Sequence, residues 1–406
     1  MRAINITGYR HTNIEQEIVR KEQKKSKEWR GRIELIQGFS FPTTATHIAF
    51  TPDKTAMVGC GVYRPQFKVF LLGELSVLFE RSLNSGAKAI EFLSKDWKRL
   101  CFMQENRRLE FHSDTEMVES VRMPWLGRKM FYERGGCEVV CCGASSEGAA
   151  FSAEAGKFTR YFPTTSKSLD ACCHSGPSRL YLFGGVSGRV SLFDGRQKEK
   201  VLCLRERDCS DGAVTSLLVQ RDGVTVCVGS SEGRIGVHDI RNGGCLFTKD
   251  HFYGESIRKM EQEGDVVLSS DCRVVRVWDR RSGATRGSIE TETEINDFTH
   301  DGGYVAVACE EEQMQSFYLP ELGAAPKWAE AVEKYAESIE ENRKNCDRFF
   351  TDRDFGAQKD PAGVPCMHGY IVPSGNETGC RDGEGRPQAE GKPKKRREKK
   401  AASVWG

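Results

Sequence analysis

The 406 residues carry 60 lysines and arginines against 58 aspartates and glutamates, a formal net charge of +2, with 38% hydrophobic and 29% charged residues. That balance excludes a strongly polybasic chain and a membrane-like one, so charge is informative only locally. No run of 18 apolar residues occurs, which excludes a membrane-crossing helix and leaves no membrane partner to expect.

Residues 1–10 contain Ala3-Ile-Asn-Ile-Thr-Gly-Tyr9, which alternates apolar and polar as a half-buried strand does. Residues 11–42 form a basic segment leading into the first repeat. Here Arg20, Lys21, Lys24, Lys25, Lys27, Arg30 and Arg32 face only Glu22 and Glu28, and the apolar face is thin, with Ile14, Ile18 and Trp29. Packing alone hardly holds such a segment as a helix. Lys24, Lys25, Arg30 and Arg32 are therefore candidate contacts to RNA or an acidic partner, against the alternative of a solvated helix.

Residues 43–323 repeat. Seven times a short apolar strand, a Gly/Ser/Asp-rich turn and a second strand follow one another, ending at Leu71, Ser113, Ser152, Asp194, Asp239, Asp279 and Leu319. The clearest endings are Val190-Ser-Leu-Phe-Asp194, Ile235-Gly-Val-His-Asp239 and Val275-Arg-Val-Trp-Asp279, so Asp194, Asp239, Trp278 and Asp279 are read as blade-structural residues. Successive spacings of 42, 39, 42, 45, 40 and 40 match a β-propeller blade, four strands in roughly 40 to 45 residues.

The turns repeat as well. Cys142-Gly-Ala-Ser-Ser-Glu-Gly148, Phe183-Gly-Gly-Val-Ser-Gly-Arg189 and Val228-Gly-Ser-Ser-Glu-Gly-Arg234 are one hairpin written three times. Pro52-Asp53, Lys95-Asp96, Asp222-Gly223 and Asp301-Gly302 mark an earlier hairpin in their units. The last unit offers strands at 295–298, 304–309 and 315–319 but then enters Pro326-Lys-Trp, a helix start. Its missing outer strand is expected from residues 1–10, which would close the ring and cover a bare sheet edge. The fold class is thus all-β, a seven-bladed WD-type propeller closed by an N-terminal strand.

Beyond the ring, residues 324–345 read as an amphipathic acidic helix. Trp328, Val332, Tyr335 and Ile339 fall on one face, and Glu330, Glu333, Glu337, Glu340 and Glu341 cover much of the rest. The apolar stripe docks either on the propeller's own side or in a partner's groove. Residues 346–406 are rich in Gly, Pro and charge and are expected to be mostly disordered, ending in a basic cluster at 392–400. Within it Lys394, Lys395, Arg396 and Arg397 are candidate RNA-phosphate contacts, and such a cluster also serves as a nuclear address.

Enzymatic chemistry is not evident. Gly229-Ser-Ser231-Glu-Gly233 satisfies a hydrolase nucleophile pattern, but that elbow needs a helix after it and a strand follows here. Cys346, Cys366, His368 and Cys380 lack zinc-site spacing. No phosphate-cradling or dinucleotide glycine motif occurs, so neither a cofactor nor a small-molecule substrate is expected. Sixteen cysteines with no apolar signal segment, most of them inside strand-like runs, point to a reducing compartment.

Several stretches resemble one WD-repeat family, the nucleolar protein 10 or essential nuclear protein 2 family of ribosome assembly factors. They are Trp29-Arg-Gly-Arg-Ile-Glu-Leu-Ile-Gln-Gly-Phe39 with Phe41-Pro-Thr43, Tyr63-Arg-Pro65, and Glu74-Leu-Ser-Val-Leu-Phe-Glu-Arg81. Arg108-Leu-Glu-Phe-His-Ser113, Lys249-Asp-His-Phe-Tyr-Gly254 and Tyr318-Leu-Pro-Glu-Leu-Gly-Ala-Ala-Pro-Lys-Trp328 complete the set, with a faint echo at Met367-His-Gly-Tyr370.

The resemblance implies a nucleolar, non-catalytic scaffold of the small-subunit processome, binding assembly-factor proteins and pre-rRNA in 18S processing and 40S maturation. It also implies a longer charged extension than the roughly 80 residues that follow the helix start here. The rival reading is a WD-repeat substrate receptor of a ubiquitin ligase, since Arg241 and Arg280 follow the strand ends at Asp239 and Asp279.

Overall fold

The computed structural model describes residues 4–5, 35–176, 178–196, 200–205, 212–330, 347–350, 364–366 and 369–373. Among them are seven four-stranded antiparallel sheets, spanning residues 45–82, 87–122, 127–163, 169–205, 214–250, 259–290 and 295–318, the last completed by residues 4–5. Within each sheet the strands run a, b, c, d from axis to rim. Neighbouring a strands touch in sequence, Ala45–Phe50, Ala87–Phe92, Gly127–Glu133, Leu169–Ser175, Val214–Val219, Lys259–Glu263 and Ile295–Asp301, and the last touches the first again. The ring is closed.

Closure uses the strand predicted from the first residues. Ile4 pairs with Tyr318 and Asn5 with Phe317, beside the c strand Gln315–Tyr318. The remainder of 1–10 lies outside the described residues. Strand c of blade seven stops one residue before the expected Leu319, because Pro320 has no amide to extend the ladder and Pro320–Leu322 begins a single 3-10 turn.

Strand character follows position. The b strands Ala56–Gly61 and Tyr304–Cys309 are buried at every residue, since each is covered on both faces by the neighbouring blades. Rim strands such as Met117–Arg122 and Lys157–Pro163 are exposed at alternate or successive positions.

The repeated turn glycines meet a hard constraint. A Cβ at Gly143 would collide with the Leu126 carbonyl oxygen and one at Gly185 with that of Ser168, so the loop entering the blade lies directly on the glycine backbone. One further feature recurs in all seven blades. The penultimate position of strand c, or its register equivalent, is a buried planar side chain: Phe70, His112, Phe151, Phe193, His238, Trp278 and Tyr318.

A second compact unit begins at Ser338. Its described residues form a three-stranded antiparallel sheet of Asp347–Phe350, Gly369–Pro373 and Val364–Cys366, in that order.

Candidate partner-binding surface

The axis of the ring is polar but internally satisfied. Lys259 Nζ lies 3.0 Å from both Glu261 Oε1 and Asp297 Oδ1 and donates to the Phe298 carbonyl at 2.8 Å. His300 bridges Glu261 (2.6 Å) and Glu263 (3.3 Å), while His47 approaches Asp297 at 3.3 Å. Burial opposes charge on Asp297 and Glu261, yet the adjacent Lys259 ammonium and the histidines bring both carboxyls down to about 2. This network ties blades six, seven and one.

Across the channel, Glu91 forms no ion pair within 4 Å among the described residues. Burial raises its carboxyl to about 8, against weaker opposing pulls from Lys259, Arg134 and a Tyr132 backbone hydrogen bond. The intervening cavity, lined in part by His47, Glu91, Lys129, Lys259 and Asp297, is about 190 Å³, room for a few waters. Among the described residues no group of three or more His, Cys, Asp or Glu is placed to hold a metal ion.

The loops differ in character. Antiparallel order puts the d-to-a loops and the b-to-c turns on one face. That face displays Val62, Tyr63, Leu126, Val186, Phe252 and Tyr253, all exposed large apolar side chains. Phe252 is the extreme, 78% exposed and at a left-handed φ of 64°, a conformation strained for a bulky residue.

Several contacts hold it there. The Phe252 amide donates to Asp250 Oδ1 at 2.7 Å, and the Arg276 guanidinium lies 5.4 Å from the Phe252 ring centroid and 5.8 Å from that of Tyr253. Arg276 also donates to the His251 carbonyl at 2.9 Å. His251 itself is fully buried, its ring 3.1 Å from Asp271 Oδ2 and 2.7 Å from Ser269 Oγ, which accepts the Trp278 indole N–H at 3.0 Å. An exposed aromatic pair, strained at Phe252, is thus anchored through a relay reaching strand c of blade six, and rigid aromatic side chains of this kind are the common anchors of protein interfaces.

The residues singled out from sequence fall in distinct places. Trp278 belongs to the relay. Asp194, Asp239 and Asp279 each accept the backbone amide of the residue two positions on, at 2.9, 2.8 and 2.9 Å, and so close the c-to-d turns. Trp328 lies on a 3-10 turn, Lys327–Ala329, at the opposite face. Its ring centroid is 4.7 Å from that of Tyr304 and its indole donates to Asp301 Oδ2 at 3.3 Å.

Val332, Tyr335 and Ile339 lie outside the described residues, as do Lys24, Lys25, Arg30, Arg32, Lys394, Lys395, Arg396 and Arg397. Ser231 sits in the hairpin between Thr225–Ser230 and Arg234–Asp239, its hydroxyl accepting the Ala213 amide. Sequence reasoning missed Phe252, Tyr253 and Arg276 as a unit. The available signal was the pair of consecutive aromatics followed by Gly254 in a loop.

Comparison with known proteins extends this picture. The family model described as nucleolar protein 10-like, N-terminal domain, matches residues 3–343. Nucleolar protein 10 of Danio rerio is 32% identical over 361 residues, covering 85% of this chain and 49% of that protein. Nucleolar protein 10 of Homo sapiens is 31% identical, covering 85% and 52%. Ribosome biogenesis protein ENP2 of Chaetomium thermophilum is 31% identical over 342 residues, covering 77% and 51%. The chain spans about half the length of the curated relatives it matches.

Proposed function

This chain belongs to the nucleolar protein 10-like family of β-propeller proteins, and from that premise we propose that it is a non-catalytic scaffold of ribosome assembly working in the nucleolus. The finer reading is a place in the small-subunit processome, where it supports pre-18S rRNA processing and 40S maturation by holding assembly-factor proteins and pre-rRNA together. The observation that carries it is the pinned Phe252–Tyr253 loop on a closed ring.

A closed ring fixes its loops, so a partner meets a preformed surface and little ordering entropy is lost at association. The two basic segments supply a different contact. Lys24, Lys25, Arg30 and Arg32, with Lys394, Lys395, Arg396 and Arg397, neutralise RNA phosphates without reading sequence. Trp328, Val332, Tyr335 and Ile339 supply an apolar stripe for a protein partner or for the propeller flank.

Purification of the tagged protein from native cells tests the reading. Pre-18S rRNA and assembly proteins are expected in the eluate, and Phe252→Ala/Tyr253→Ala is expected to lose at least one of those proteins while melting as the parent does. Recovery of cullin subunits without pre-rRNA would instead establish the ubiquitin-ligase receptor.

A further inference from the structure

The c-to-d turns, on the face opposite Phe252, divide the ring by charge. In blades one to three they expose Glu74, then Asp114 and Glu116, then Glu154. In blades four to six the matching turns expose Arg196, Arg241 and Arg281. Each of these arginines stands two residues after the aspartate that ends strand c, and each aspartate turns inward to accept that arginine's own backbone amide. The same device therefore presents a guanidinium at one position in three consecutive blades.

Their pairing leaves them available. Arg196 and Arg281 have no carboxylate partner among the described residues. Arg241 reaches its own Asp239 at 2.9 Å, but its side chain stays 74% exposed, and such a surface pair is readily exchanged for another anion. Of the acidic groups nearby, Asp265 faces Arg280 at 2.9 Å, Asp279 faces Arg286 at 3.1 Å and Glu263 faces Arg221 at 3.0 Å, while Asp222 accepts the Val224 and Thr225 amides at 3.0 and 2.9 Å. The described turn residues around the three arginines carry no exposed large apolar side chain; Val201, Leu202 and Leu246 are exposed only beyond the turns, on the rim strands that follow. An interface with a folded acidic protein needs apolar anchors, whereas a phosphate backbone needs only a row of cations.

We propose that Arg196, Arg241 and Arg281 form an arc on blades four to six that contacts the phosphates of single-stranded RNA. Naming RNA as the polyanion rests on the ribosome-assembly reading above; the arc itself rests on the turn geometry. Arginine donates two N–H groups to one phosphate, so the contact is oriented, and the acidic turns of blades one to three repel the strand and confine it to one half of the rim.

The test uses the full chain and a labelled 20-nucleotide uridine RNA, with binding followed as a function of salt. Each phosphate contact on a single strand contributes about 0.7 to the slope of log K against log salt. Arg196→Ala/Arg241→Ala/Arg281→Ala is expected to lower that slope by about 2, and the triple lysine variant to restore most of it, with melting temperatures unchanged. The terminal basic segments are the same in all three proteins, so the difference reports the arc alone. An unchanged slope would overturn the proposal. So would unaltered RNA binding accompanied by loss of an acidic protein from native particles. If the slope falls but native eluates contain no ribosomal precursors, the arc stands and the ribosome-assembly reading fails.

Discussion

Blades four and six fill the same slot by different chemistry. At the penultimate position of strand c, blade four places Phe193 among Phe162 and Phe183, ring centroids 5.4 and 5.7 Å away, with no polar atom involved. Blade six places Trp278, whose indole N–H begins the relay through Ser269 and His251 to Asp271. The apolar filling packs blade four against Phe162 on the rim strand of blade three and reaches no exposed loop. The hydrogen-bonded one reaches into the loop between blades five and six and so also fixes where Phe252 and Tyr253 stand. A repeat protein can therefore give one of its units a task outside the core without altering the plan of the core.

Emptying either slot has the largest expected effect. Phe193→Ala and Trp278→Ala should each lower stability by about 3–5 kcal/mol, measured by denaturant unfolding. The blades should part company on partner binding, which only Trp278→Ala is expected to weaken.

Blade seven extends the comparison, since its fourth strand is not its own. Deleting residues 1–10 should lower the melting temperature by less than emptying a slot does, because it bares an edge rather than opening a cavity. An unaltered melting curve would contradict the role of the Ile4–Tyr318 pairing in holding the ring.

Trp278→Phe isolates the polar half of the difference. It keeps a ring in the slot but removes the donor to Ser269 Oγ, with an expected loss of about 1–2 kcal/mol and faster amide exchange at residues 251–254. Equal exchange in variant and parent would break the link between relay and loop.

On the channel wall, Glu91→Gln offers a comparison by pH. The folded carboxyl sits near 8 against an ordinary 4.5, so the parent loses stability as pH rises from about 4.5 to 8. The variant should gain over the parent across that window, by something on the order of 1–3 kcal/mol near pH 8, and differ little below pH 4. The smallest effect is expected for Asp239→Ala, a slight drop in melting temperature, since its turn is exposed and glycine-rich.

Much of this fold was legible in the chain. Strand c ends where its repeat predicted at Leu71, Ser113, Ser152, Asp194, Asp239 and Asp279. The faint copies are faint for a physical reason. Ser113 and Ser152 close their turns by accepting an amide three residues on, both at 3.2 Å, and blade one closes without any such side chain, using Leu75 at a φ of 52°. The geometry is conserved across blades while the residue type is not.

The axial charge network was not legible, because Lys259, Asp297 and His47 come from three blades and meet only after closure, with no local spacing to announce them. The anchored aromatic loop was half legible. The motif stood out as unusual, but burial of His251 depends on Ser269 and Asp271, which belong to the next blade. The small sheet of residues 347–373 had no signal, since short strands in a charged, glycine-rich stretch lack periodicity.

The pairing of Ile4 with Tyr318 sets an order of events during synthesis. Made from the amino end, residues 4–5 emerge more than three hundred residues ahead of the strand they join, and six complete blades lie between them. Until Tyr318 leaves the tunnel, the nascent horseshoe exposes one unmatched flank and carries its own latch unfastened at the far end. The ring therefore cannot close until Tyr318 is made, and residues 4–5 wait for a partner more than three hundred residues further along the chain.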